Sequence, residues 1–212
     1  MRLPNTTMDL HPWRIREITR DFRLEDVWAL PAYGGPEDFQ RLVSQTLASD
    51  PAETQSLPTH VLWVVRDLLG RVFGLGRITG PGEPGPLPIP GTGETTLADR
   101  LPADLQGTAA DLHFRSLPFV PLFRTDTEFA AEISNHTVHA VMHLAWVEQG
   151  DGRYQGQMAV FVKPRGRLGQ GYMALITPFR LWIVYPALMR RIERVWGVSR
   201  TAQASDGARR LA

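Results

Sequence analysis

The strongest constraint on the fold is a pair of segments whose residues alternate between apolar and polar, joined by a short glycine-containing connection. The first segment, TVHAVMHLAWV, occupies residues 137–147, and the second, RYQGQMAVFVK, occupies residues 153–163. Such a period of two is typical of β-strands with one wholly apolar face. The connection, EQGDG, contains two glycines and an aspartate, which favours a hairpin. The sequence therefore predicts an antiparallel hairpin, with His143 opposite Gln157.

The same hairpin carries three of the six histidines, namely His136, His139 and His143. On a helix they would share one face and could bind zinc. On a strand, His139 and His143 lie about 13 Å apart, too far to bind one ion. We therefore predict no metal site and no cofactor. Two alternatives stay open: hydrogen bonding on a polar sheet face, or a role as acid, base or donor in a ligand pocket.

Composition narrows the class of protein. The chain has 212 residues, no cysteine and a formal net charge of +1. A chain of this length can bury one substantial core, and the absence of cysteine excludes disulfides and thiolate catalysis. The charge balance gives no support for a nucleic-acid partner. No apolar run reaches the length of a signal peptide or a membrane span, so we expect a cytoplasmic protein with no membrane span.

The rest of the chain suggests mixed α and β structure in a single domain. Residues 13–18 alternate like a first strand, and helical spacing follows at residues 39–47 and 59–72. Residues 76–111 are rich in Gly and Pro and predict a long loop with a short helix near residues 97–104. Strands follow from residue 111, and the prolines of the first of them predict an edge strand or a bulged strand.

The C-terminal part predicts a long helix. Pro178 suits the first turn of a new helix, Pro186 should kink it and Gly197 should end it. We expect residues 1–10 to be flexible, residues 11–196 to form the domain and residues 197–212 to form a disordered tail.

The sequence gives little support for nucleotide binding or serine-hydrolase activity, because the motifs of these functions are incomplete or absent. The glycines of residues 74–80 lack the strand and helix of a dinucleotide-binding unit. Gly166, Gly169 and Gly171, with Arg165 and Arg167, could hold an anion at a helix start, although a flexible joint explains them as well. The chain contains no Gly-x-Ser-x-Gly motif and no P-loop.

Three stretches, DFRLEDVWALP, NHTVHAVMHLAWV and GQMAVFVKPRGRLGQGYMALITPFRLWIVYPALMR, carry a family resemblance. They resemble an uncharacterised bacterial domain-of-unknown-function family grouped with the START-like (SRPBCC, helix-grip) superfamily, over roughly residues 11–196. This resemblance implies an α+β helix-grip fold, in which a curved antiparallel sheet wraps around a long C-terminal helix and two helices follow the first strand. It also implies a cavity for a hydrophobic or amphipathic small molecule, but it does not transfer catalytic residues.

Three functions are therefore open. In the first, a small hydrophobic molecule binds between the sheet and the C-terminal helix, and replacing Met142 or Leu144 with Trp should abolish binding. In the second, a cyclase or dehydratase acts on a hydrophobic carbonyl substrate, with His139 or His143 as base and Arg115 polarising an oxygen. In the third, an interaction protein has a solid core. A homodimer is an open alternative for the oligomeric state. The predicted ligand-binding residues are Val138, Met142, Leu144, Trp146, Met158, Val160, Trp182, Tyr185 and Met189.

Overall fold

A computed structural model describes residues 1–49 and 87–210, with side chains described as far as residue 197. The predicted helix at residues 59–72 and the glycines of residues 74–80 lie outside these ranges.

The described residues form an α+β structure built on one curved, six-stranded antiparallel sheet. Its strands are β1 (Arg2–Leu3), β2 (Arg23–Gly34), β3 (Val120–Arg124), β4 (Glu128–Ser134), β5 (Val138–Gly150) and β6 (Arg153–Pro164). They lie in the order β1-β2-β6-β5-β4-β3. The proline-containing strand β3 is at an edge of the sheet, as its sequence predicts. Its Pro121 precedes a bulge in the pairing with β4.

The hairpin forms, but its register differs from the prediction by two residues. His143 pairs with Ala159, and Gln157 pairs with Ala145. The turn consists of Asp151 and Gly152 alone, both with positive φ, so Gly150 already pairs with Arg153. Because the difference is an even number, every side chain still lies on the predicted face.

Both faces of the sheet are covered. One face packs against the N-terminal segment and residues 89–105, in a core that includes Trp13, Ile15, Ile18, Leu97 and Phe161. The other face packs against helix α2 (Phe39–Leu47) and the C-terminal helix, in a core that includes Trp28, Leu144, Trp146, Met158 and Tyr185. We call them the N-terminal face and the helix face.

The first predicted strand is wrong: residues Ile15–Ile18 form a short helix, α1, and the strand follows at Arg23–Gly34. Ile15 and Ile18 are both buried on one side of α1, so the spacing that matters there is three rather than two. The segment PAYGGP, residues 31–36, has the composition of a turn, but its first four residues belong to β2. The predicted short helix near residue 97 is a 3-10 turn, Leu97–Arg100.

The C-terminal helix consists of α3 (Gly166–Phe179), a π-helical segment (Arg180–Val184) and α4 (Tyr185–Arg210). The expected new helix start at Pro178 is wrong, because α3 includes this proline. Pro186 is the second residue after the π segment; proline has no N–H to donate to the preceding turn, which favours such an irregularity. Gly197 does not end the helix, which continues through most of the residues expected to form a disordered tail. The division of the chain into a single domain and flexible ends remains a prediction.

Candidate functional site

The two central histidines lie on the N-terminal face, each beside a glutamate of β4. The Nε2–H of His139 donates to Oε2 of Glu132 at 2.8 Å, and the Nε2–H of His143 donates to Oε2 of Glu128 at 3.0 Å. Both pairs are diagonal neighbours across β4 and β5, because Ser134 pairs with His139 and Ala130 with His143. The equal spacing of four residues in both strands thus creates two identical Glu–His pairs.

Each glutamate also holds a helical turn from the covering layer. Glu128 accepts hydrogen bonds from the backbone N–H groups of Arg14, at 3.0 Å, and Ile15, at 3.3 Å. Glu132 accepts from the N–H of Leu97 at 3.0 Å and from the hydroxyl of Thr96. These donors lie where α1 and the 3-10 turn begin, and N–H groups there have no partner within the helix. Each carboxylate therefore joins a buried histidine to the start of a helical turn.

Both imidazole rings are closed off from solvent. The exposed fraction of His139 and of His143 is 0%. Trp13 packs edge-on against His143, with ring centroids 5.8 Å apart, and Phe22 packs in the same way against His139, at 5.7 Å. Within the described part of the chain, neither Nδ1 atom has a hydrogen-bond partner. No substrate could reach these rings without displacing the aromatic residues above them.

The other two candidate residues, Arg115 for catalysis and His136 for metal binding, lie away from the Glu–His pairs. Arg115 is exposed, and its backbone N–H donates to the carbonyl of Leu47 at the end of α2. His136 is exposed in the turn before β5. Among residues 1–49 and 87–210, no three metal-ligating side chains converge as a bound ion would require. Of the two alternatives for the histidines, the arrangement favours hydrogen bonding within the sheet.

The predicted ligand-binding wall lies on the helix face but is solid over half its length. Leu144, Trp146 and Met158 are buried against Trp28 and the C-terminal helix. Val138 is buried against Met173 of α3. Tyr185 is buried against Trp28, with ring centroids 4.7 Å apart, and Met189 is half-buried in the same core.

Trp182 was placed wrongly by the sequence. Its side chain is 79% exposed and does not face the sheet. The helical pattern of apolar residues did not distinguish the inner side of this helix from its outer side, because both are apolar.

Further along the helix face, three neighbouring side chains of the sheet are only half-buried: Ala140, Met142 and Val160. Met142 pairs with Val160, so they lie side by side at the centre of the sheet. The C-terminal helix packs chiefly along β6 and β2, which leaves the β5 side less covered. From the helix, the half-buried Tyr172 and Ile176 pack beside Ala140 and Val160. We call this partly exposed apolar patch, made up of these five residues, the central opening.

A charged cluster that sequence reasoning missed adjoins this opening. Asp26 of β2 pairs with Val160 in the sheet, and its carboxylate accepts hydrogen bonds from the Arg180 guanidinium and, at 3.3 Å, from the Tyr185 hydroxyl. Arg2 adds an ion pair to Asp26 at 3.2 Å. The available signal was Asp26, which directly precedes the apolar run VWALPA (residues 27–32) of the same strand, since a buried acid requires partners.

The π segment explains why both helix residues reach one carboxylate. Five residues apart on an α-helix, Arg180 and Tyr185 would point about 140° apart. A π turn bonds residue i to residue i+5, and here the Tyr185 N–H donates to the Arg180 carbonyl. The two side chains are thereby brought to the same side of the helix, toward Asp26.

Burial and charge change the proton affinity of the two tyrosines at this cluster. Burial raises the pKa of Tyr185 strongly; the positive charge of Arg180 opposes this, while Asp26 adds to it through charge and hydrogen bonding. Burial also raises the pKa of Tyr172, against a smaller opposite effect of Arg180. Both phenols are therefore neutral hydrogen-bonding groups over the physiological range.

Two other candidate binding sites have weaker support. A shallow depression of about 560 Å³ lies by residues 98–110 and β3, bordered by Asp99, Leu101, Gln106 and Leu122. It belongs to the N-terminal face rather than to the helix face. The predicted anion site also has another explanation, because Arg165 donates to the carbonyls of Asn135 and Pro88 and to the Ser134 hydroxyl.

Gly169 serves close packing rather than flexibility. A Cβ atom there would lie 2.2 Å from the carbonyl oxygen of Thr137. Only glycine allows α3 to approach β5 so closely.

Comparison with known proteins supplies a family but no activity. No curated protein and no solved structure matches the chain. A family match covers residues 18–187, which include the Glu–His pairs, the central opening and the Asp26 cluster. The chain belongs to the family described as "Protein of unknown function (DUF2867)".

Proposed function

We propose that this protein binds a small hydrophobic or amphipathic molecule in the central opening between the sheet and the C-terminal helix. The observation that carries the proposal is the partial exposure of Ala140, Met142 and Val160 in the middle of the sheet, where the neighbouring residues of the opposite face, such as Val141, Ala159 and Phe161, are buried. Interior strand positions of this kind are normally sealed, because exposed apolar area costs about 25 cal/mol per Å².

The walls suit a ligand of variable shape. Met142 has an unbranched, polarisable side chain that adapts to different contacts. Ile176 and the body of Tyr172 supply further apolar area from the helix side. Mostly apolar walls with few polar groups are typical of small-molecule sites.

The Asp26 cluster gives this opening a polar end. Asp26 lies directly beside Val160 in the sheet, and it holds Arg180 and Tyr185. The Nε–H of Arg180 is buried and has no acceptor among the described residues. Because an unmatched buried donor is unfavourable, a ligand with an oxygen acceptor at one end would gain a hydrogen bond there. This favours an amphipathic ligand over a pure hydrocarbon.

The relation to the START-like, helix-grip proteins is part of the same proposal. A curved antiparallel sheet with a long C-terminal helix on one face agrees with that architecture. Phe22 and Trp13 close off His139 and His143, which argues against the enzyme alternative. Leu144 and Trp146 are buried, so side chains fill that part of the helix face, which supports the solid-core alternative there.

The test is a fluorescence titration with 1-anilinonaphthalene-8-sulfonate, an amphipathic probe with an anionic end. Met142→Trp should fill the opening and weaken probe binding at least tenfold, about 1.4 kcal/mol. Met142→Leu is the matched control, because it keeps the volume and should keep the binding. Leu144→Trp, suggested by the sequence, is unsuitable because Leu144 is fully buried.

The proposal also depends on the polar end. Arg180→Met keeps an apolar side chain of similar length and should weaken the anionic probe more than it weakens a neutral probe such as Nile red. Equal probe binding by the wild type and a folded Met142→Trp variant would contradict the placement of the site.

A further inference from the structure

The outer side of the C-terminal helix carries an apolar stripe that contacts no described part of the chain's cores. It consists of Leu168, Leu175 and Trp182, which are 81%, 63% and 79% exposed. Their spacing of seven residues places them along one side of the helix. Single exposed apolar residues are common on protein surfaces, but an aligned row of large ones indicates a surface that binds something.

The helix is also basic. Between Gly166 and Gly197 it contains five arginines and one glutamate, whereas the whole chain has a net charge of only +1. Arg167 is exposed beside Leu168 at one end of the stripe, and Arg190 and Arg194 are exposed eight and twelve residues beyond Trp182. An apolar row that includes a tryptophan and is flanked by arginines is the pattern of a helix that lies in the interface of an anionic membrane.

Length and composition alone would also allow this helix to cross a membrane. Residues Gly166–Gly197 form 32 helical residues, of which one window is apolar enough for a span and only 11% buried. The inner side of the helix opposes a spanning arrangement. Gly169, Met173, Tyr185 and Trp196 are buried against the sheet and α2, and Arg180 is paired with Asp26 in the middle of the segment. Spanning would break these contacts and place Arg180 in hydrocarbon.

We propose that the outer side of this helix, with Leu168, Leu175 and Trp182, binds the surface of an anionic lipid bilayer. The helix lies parallel to the membrane and stays docked on the sheet. The stripe enters the boundary between headgroups and acyl chains, and the exposed arginines contact anionic headgroups. The central opening is on the opposite side of the helix, so membrane binding does not depend on the ligand proposal.

The test is cosedimentation of the full-length protein with vesicles. One set contains phosphatidylcholine and phosphatidylglycerol in a 7:3 ratio, and the other contains phosphatidylcholine alone. The wild type should bind the anionic vesicles more tightly, and added salt should weaken this binding. A variant with Leu168→Gln, Leu175→Gln and Trp182→Gln should bind at least about tenfold more weakly. Val120→Gln, which removes an exposed apolar residue from β3, is the matched control.

Three results would overturn the proposal. The first is vesicle binding by the triple variant equal to that of the wild type. The second is absence of vesicle binding combined with a wild-type dimer that the triple variant converts to a monomer in analytical ultracentrifugation, which would assign the stripe to a second copy. The third is a large fall in the melting temperature of the triple variant, which would show that the stripe is covered within the chain itself.

Discussion

Replacing Glu128 with Gln tests whether the Glu128–His143 pair stabilises the packing of α1 against the N-terminal face of the sheet. In the wild type, one oxygen of Glu128 accepts from Arg14 N–H, and the other accepts from Ile15 N–H and His143. Gln keeps the size of the side chain but replaces one acceptor oxygen with an NH₂ donor. In either orientation of the amide, at least one buried N–H loses its acceptor and faces another donor.

The expected loss follows from those contacts. A hydrogen bond to a charged group contributes about 1.5–3 kcal/mol, and an abandoned buried donor adds a penalty of about 1–3 kcal/mol. Since some relaxation is expected, Glu128→Gln should lower the free energy of unfolding by about 2–4 kcal/mol. That is a large share of the roughly 5–15 kcal/mol that stabilises a typical domain.

The measurement is urea unfolding followed by far-ultraviolet circular dichroism. Glu37→Gln, at an exposed position, is the control and should change stability by less than about 0.5 kcal/mol. A double-mutant cycle with His143→Leu should give a coupling energy of at least about 1 kcal/mol between the two positions. A Glu128→Gln variant as stable as the control would refute the reasoning, because the carboxylate would then contribute nothing to the packing of α1 on the sheet.

Three further predictions concern other contacts. Burial raises the folded pKa of Tyr185, so its contribution to stability should be complete below about pH 10 and disappear at higher pH; Tyr185→Phe should flatten the alkaline part of a stability–pH curve, and an unchanged slope would contradict this. Burial raises the pKa of Asp21, but hydrogen bonds from Arg100 and Lys163 outweigh it and lower the pKa to about 2. Stability from Asp21 should therefore be present above pH 3.8 and disappear as the pH falls toward 2, and Asp21→Asn should reduce the slope of acid unfolding in that window. Gly169→Ala should lower stability by about 1–3 kcal/mol in urea unfolding, because its Cβ would meet backbone rather than a side chain that can move; Gly171→Ala, which meets no atom within 4 Å, is its control.

The faces of the hairpin could be predicted from the sequence because a period of two is a property of the strand itself. The register could not be obtained by treating all of residues 148–152 as the loop. Asp151-Gly152 is the strongest short hairpin signal in that stretch, and positive φ at both residues confirms a tight two-residue turn. A regular hairpin around this dipeptide would place His143 opposite Val160, and the bulge between Glu148 and Gly150 moves the pairing by one residue to Ala159. This bulge carries no clear signal in the sequence.

The environment of the histidines depends on contacts between distant parts of the chain. The sequence predicted a mixed sheet face, and that face exists, but its burial results from Trp13 and Phe22, more than 110 residues earlier. The matched spacing of four residues between Glu128 and Glu132 and between His139 and His143 was available in the sequence and could have indicated the pairs. The Asp26 cluster was harder to foresee, because it depends on the π segment of the helix.

The two edges of the sheet have a consequence for self-association. The outer strand β3 contains Pro121 beside a bulge. At the other edge, β1 pairs with Val27 and Trp28 of β2, Met1 exchanges hydrogen bonds with Ala29, and Pro31 follows. Proline offers no N–H, and a bulge interrupts the row of donors and acceptors that an added strand would need. Joining two copies into one continuous sheet is therefore disfavoured at both ends, as is the edge-to-edge stacking from which fibrils grow. A dimer of this protein would have to use helices or loops instead.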